Sequence, residues 1–89
     1  MSEEILPFGP VATLRTAREL LDRARGIGST AASVVVDCLE LRQCDAAGLQ
    51  VLLALRAALT ARGGLFRIVN VPADLRWRFD YVGLPYAAA

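Results

Sequence analysis

The side chains in this chain that could do chemistry are few, and their types exclude more than they suggest. All ten basic residues are Arg, and the 89 residues contain neither Lys nor His. General acid–base and nucleophilic catalysis rely mostly on His or a Lys base, so most catalytic routes close here. The usual zinc and iron ligand sets are missing their imidazoles as well. Cys38 and Cys44 are too few for a disulfide framework and too oddly placed for a metal knuckle. They read as two free, partly buried thiols in a reducing compartment. No enzyme, no metal site and no cofactor is expected. Of the nine acidic residues, Asp37 ends one apolar run and Asp45 stands just before another.

Those runs define the elements. Glu4 to Phe8 reads as a short strand closed by Gly9-Pro10. A helix follows from about Leu14 to Arg25, with Thr13 as N-cap and Gly26 as stop, its apolar face carried by Leu14, Ala17, Leu21 and Ala24. Ser33 to Val36 is a β-branched run of the kind buried on both faces, and it ends at Asp37. Asp45 is the natural N-cap of the longest helix, about Ala46 to Arg62, because a carboxylate both accepts the free amides and suits the positive end of the dipole. Gly63-Gly64 turns into the strand Leu65 to Val69, and a third helix runs from Ala73 to about Val82, ended by Gly83. The order β-α-β-α-β-α predicts a single α/β domain over residues 1–89. Its sheet is short, mostly parallel and flanked by helices that right-handed crossovers put on one face.

The composition agrees. Ala (15) and Leu (14) make up 29 of the 89 residues, and both are strong helix formers. A net charge of +1 leaves no footprint for nucleic acid or anionic lipid. The longest uncharged run, Gly26 to Val36, spans 11 residues, against the ~20 of a membrane helix. The acidic start Met1-Ser2-Glu3-Glu4 is unlike a signal peptide, so a cytoplasmic protein without membrane insertion is expected.

Two features look made for a partner. Leu49, Leu52, Leu55 and Leu59 form the core stripe of the long helix, interrupted only by Arg56. Ala47, Gln50, Val51, Ala54 and Ala58 form a second stripe, small and apolar, that reads either as a docking surface or as a helix sandwiched inside the domain. Trp77 falls off the Leu75, Phe79, Val82 stripe of the third helix, between Arg76 and Arg78. It reads either as a lid on the helix end or as an exposed aromatic anchor.

Taken together, Val34-Val35-Val36-Asp37, Asp45-Ala46-Ala47-Gly48-Leu49, the Leu-rich helix, Gly63-Gly64, Phe66-Arg67-Ile68-Val69-Asn70 and Val82-Gly83-Leu84 resemble the STAS domain family. That family includes bacterial anti-sigma-factor antagonists, cytoplasmic domains of sulfate transporters and the STAS subunit of Mla-type phospholipid-transport ABC systems. The resemblance implies a curved sheet flanked by helices and a function of binding a partner protein without chemistry. In typical antagonists the motif reads Asp-Ser-Ser-Gly, and a partner kinase that doubles as the anti-sigma factor phosphorylates the Ser before Gly. Here Ala46 and Ala47 hold the two Ser positions, so the chain has no phospho-acceptor there and the added charge of a phosphate is not available. Asp37 and Asp45 match the family's two acidic positions.

The partner-binding residues expected are therefore Asp37, Asp45, Ala46, Ala47, Gly48, Gln50, Val51, Ala54 and Trp77. The partner would be a regulatory kinase or anti-sigma factor or, alternatively, the ATPase of a lipid-transport ABC complex. A ligand-binding domain is the third class, with little polar material to build its pocket. The shortened N-terminus leaves a sheet edge that could support a homodimer.

Overall fold

The computed structural model describes residues 3–87. Three strands, β1 (Glu3–Pro7), β3 (Ser33–Asp37) and β5 (Leu65–Val69), form one parallel sheet in the order β1-β3-β5. A second ribbon pairs β2 (Val11–Ala12) with β4 (Gln43–Cys44), also parallel. Helices α1 (Ala17–Gly28) and α2 (Ala46–Ala61) pack side by side on the main sheet. After β5 come a 3-10 turn, Ala73–Leu75, and α3 (Arg76–Val82).

Strand alternation explains which side is covered. Leu6, Val34, Val36 and Ile68 point to the helices and are buried, while Ile5 and Leu65, one position off, are exposed. Phe8, Leu20, Leu52, Leu59 and Phe79 complete the core, and no polar or charged residue is buried among the described residues.

Two boundaries of α1 differ from the expectation, for identifiable reasons. The helix starts at Ala17 and not at Leu14. The Thr16 hydroxyl donates to the Val11 carbonyl (2.9 Å) and accepts from the Thr13 amide (3.0 Å), which holds residues 13–16 in a turn. Leu14 is thereby removed from the apolar face and left 78% exposed; Leu20, Ala24 and Gly28 are the residues of α1 that are buried. Gly26 does not stop the helix either, because packing carries it one further half-turn. Gly28 lies so near α2 that an added Cβ would stand 2.9 Å from Leu55 Cδ1.

The β2–β4 ribbon has no counterpart in the sequence reading, since two-residue strands have no periodicity to detect. It lays Ala12 against the start of α2, where the Asp45 amide donates to the Ala12 carbonyl (3.1 Å).

As expected, β1 is an outer strand. Its edge is guarded: Glu3 and Glu4 are exposed, Pro7 has no amide to donate, and the Pro7 carbonyl accepts from Arg23 Nη2 (3.2 Å). Those are devices that discourage strand addition, so the geometry argues against a homodimer built on this edge. On the opposite edge the Ala87 amide donates to the Ile68 carbonyl (2.8 Å).

Candidate functional site

The first turn of α2 is organised by one carboxylate. Asp45 has extended backbone (φ −113°, ψ −173°). Its Oδ1 accepts from the amides of Ala47 (2.9 Å) and Gly48 (3.2 Å), and its Oδ2 accepts from the Leu14 amide (3.1 Å). The N-cap expected from sequence is therefore present, and it also ties the β2–α1 turn to α2. The Leu14 amide does most to hold the Asp45 carboxyl below its ordinary range. The Gly48 and Ala47 amides and the charge of Arg78 add to this and outweigh the partial loss of water.

Around that cap, Ala46 is exposed and Ala47 half-buried, and neither side chain carries a hydroxyl. Gly48 is different from the role expected of it. It is buried, and a Cβ built there would stand 2.1 Å from the Ala12 carbonyl oxygen. Its contribution is to let α2 approach the β2 backbone, not to offer surface to a partner.

One turn further on, Ala47, Gln50, Val51 and Ala54 face Ala17, Arg18 and Leu21 of α1 across an open groove. Val51 is only 4% exposed, so most of it belongs to the core and only its edge reaches the groove. Ala54, Ala57 and Ala58 are exposed, which answers the choice left open by sequence: α2 is not enclosed on all sides. Ala17 and Leu21, expected on the apolar face of α1, are half-buried and line this groove. Their helical spacing marks the face, but nothing in the sequence says that it is turned toward α2.

Asp37 lies at the carboxyl end of β3. Its Oδ1 accepts from the Leu39 amide (3.0 Å) and from Asn70 Nδ2 (3.0 Å). Asn70 itself has a left-handed backbone (φ 60°), a conformation that Asn tolerates better than most residues. Asp37 thus fastens the turn after β3 to the end of β5. Trp77 is 59% exposed, with the Arg78 guanidinium carbon 4.6 Å from its ring centre. The charge of Arg78, the neighbour of Trp77 in α3, also acts on Asp45. Leu14, missed as a site residue, joins the α2 cap through the hydrogen bond from its amide to Asp45.

The cysteines are structural. Both are buried free thiols. Burial above all pushes Cys38 up to about 12, with Cys44 and Asp37 adding to it. Burial likewise pushes Cys44 up to about 11, with Asp45 adding and Arg78 opposing. A thiol held that high forms little thiolate and makes a poor nucleophile. Among the described residues no three Cys, Asp or Glu side chains gather to hold a metal, and no helix is long and apolar enough to cross a membrane.

The pattern of the family described as "Mlab, STAS domain" matches residues 10–85. This chain is a STAS domain. Its fold is that of the anti-sigma factor antagonist SpoIIAA, solved in its unphosphorylated form, with a TM-score of 0.80. That match covers 99% of this chain and 83% of SpoIIAA at 15% identity. The phosphorylated form, described as a Bacillus cell fate determinant, gives a TM-score of 0.76 over 99% of this chain and 86% of that one, again at 15% identity. At that identity the likeness speaks for the fold alone. No curated protein matches this STAS domain.

Proposed function

We propose that this STAS domain is a non-catalytic, cytoplasmic protein-interaction module of the anti-sigma-factor antagonist type, docking on a regulatory kinase or anti-sigma factor through the N-terminus of α2. The observation that carries the reading is the α2 cap. Asp45 satisfies three backbone amides, Ala46 and Ala47 stand beside it without polar groups to desolvate, and the surface leads directly into the apolar α1–α2 groove. Leu14, tied to the cap through its amide, and Trp77 on α3 supply exposed apolar anchors. Asp37 serves by holding the neighbouring turn in place. With Ala at both Ser positions, docking here would be constitutive, with no phosphate to switch it.

A second reading is favoured by one observation. The matched family is the Mlab type, and a subunit that holds the ATPase of an Mla-type phospholipid-transport ABC complex has no need of the hydroxyls missing from Asp45-Ala46-Ala47-Gly48.

One experiment separates them. The tagged STAS domain and its Ala47→Glu variant are used to capture partners from their own cells. The Glu should abolish capture while leaving Tm nearly unchanged, since a carboxylate suits the first turn of a helix. A kinase-like ATPase recovered with wild type alone supports the first reading. An ABC ATPase arriving with its permease supports the second. Equal capture by both proteins, or loss of folding in the variant, sinks the docking surface.

A further inference from the structure

Beyond Ala54 the groove continues toward the other end of α2, between Leu21, Ala24 and Gly28 of α1 and Ala54, Leu55 and Ala58 of α2. The two halves share Leu21 and Ala54 and enclose about 370 Å³ and 460 Å³. The floor is built from small and aliphatic side chains. The charged residues that line it are all of one sign: Arg18, Arg25 and Arg62, with no Asp or Glu. Arg62 donates to the Ala31 carbonyl. Arg18 and Arg25 are exposed, and neither guanidinium has a hydrogen-bond or ion-pair partner among the described residues.

From this we infer that the α1–α2 groove receives an amphipathic helix of the partner protein, apolar on the side that enters and acidic along its flanks. The inference rests on the docking reading above and specifies the chemistry of its partner. Charge selects the occupant. A second copy of this chain laid in the groove would set three Arg against three Arg, and like charges across an interface are strongly disfavoured. Carboxylates flanking an inserted helix would instead meet unpaired guanidinium groups, which bind them bidentately. Length follows from geometry. Ala47 to Arg62 rises roughly 22 Å at about 1.5 Å per residue, so the occupant needs about four turns. The exposed small residues Ala54 and Ala58 leave room for Leu, Phe or Met anchors at i, i+3 or i+4, and i+7.

The test selects from a phage-displayed library of amphipathic helices about 16 residues long, with randomised anchors and flanks, on the immobilised full chain. Enrichment of Asp and Glu at the flanks is expected. A selected helix, made as a peptide, should bind an Arg18→Glu/Arg25→Glu variant at least about tenfold more weakly, with Tm preserved because both side chains are exposed. Neutral or basic winners overturn the inference, as does failure to enrich over the charge-reversed variant. Co-sedimentation of the domain with phosphatidylglycerol vesicles, lost in that variant, would overturn it in favour of a lipid site. If it fails while Ala47→Glu still blocks capture of the native partner, the docking reading survives without it. If acidic helices bind while Ala47→Glu leaves native capture intact, docking at the α2 cap falls and the groove stands.

Discussion

Helices α1 and α2 lie side by side on the same sheet face, yet they meet solvent by different rules. In α1 the outward positions are charged, with Arg18, Glu19, Asp22, Arg23 and Arg25 exposed, and only Leu20, Ala24 and Gly28 are buried. In α2 six residues are buried, and the exposed positions are filled largely by Ala46, Ala54, Ala57 and Ala58, with Arg56 the one charge in its 16 residues. An isolated surface helix gains solubility from charge, and α1 carries it on its outward positions but not on its groove side at Ala17 and Leu21. The bare outer face of α2 is the kind that a partner covers. The difference also shows why the apolar fraction alone misleads, since part of it in α2 serves the core and part does not.

The comparison can be broken most forcefully in the core. Leu52 is fully buried, and Leu52→Ala should cost about 2–5 kcal/mol in chemical denaturation. A loss under about 1 kcal/mol would mean that α2 is less central than drawn.

Two glycines sharpen it next, because they should respond with opposite signs. Gly48→Ala in α2 pushes a methyl into the Ala12 carbonyl, and backbone cannot yield cheaply; a loss of roughly 1–3 kcal/mol or more is expected. Gly26→Ala in α1 meets nothing within 4 Å, and should stabilise by about 0.5–1 kcal/mol. Matching signs in thermal melts would contradict the packing described for the two helices.

The α2 cap makes a smaller, pH-dependent contribution. Asp45 has a lowered pKa in the folded state. The stability it adds is therefore present above the ordinary carboxylate pKa of about 3.9 and is lost as pH falls through the lower folded value. Asp45→Ala should reduce Tm by several degrees at pH 7 and flatten that acid loss, whereas Asp45→Asn, itself a good N-cap, should retain more of the stability. Equal melting of both variants and wild type would remove Asp45 from its capping role.

The smallest effect on folding is expected outside both helices. Trp77→Ala should change stability by no more than about 0.5 kcal/mol, as surface substitutions do, while weakening partner binding by roughly 2 kcal/mol or more. A large fall in Tm with binding intact would make the indole a lid on α3 rather than an anchor.

Much of this was legible beforehand. The strand–helix alternation, the parallel sheet and the Leu49, Leu52, Leu55, Leu59 core stripe are periodic signals, and they survive in the fold. Asp45 as N-cap is legible because the residues it serves in α2, Ala47 and Gly48, stand two and three positions away. The family follows from the same ordered motifs. Sequence alone also excludes most catalysis, because the absence of His and Lys does not depend on how the chain folds.

Only the tertiary structure assigned the rest. Leu14 reaches Asp45 across 31 residues, Gly48 approaches Ala12 across the short β2–β4 ribbon, and α1 runs through Gly26 because Gly28 meets Leu55. The Arg-rimmed groove likewise exists only because two helices distant in sequence become neighbours. Local propensity and periodicity register what a residue does for its own turn or strand. A contact closed over tens of residues leaves no trace in that record, because its energy comes from surfaces that come together only when the sheet has formed.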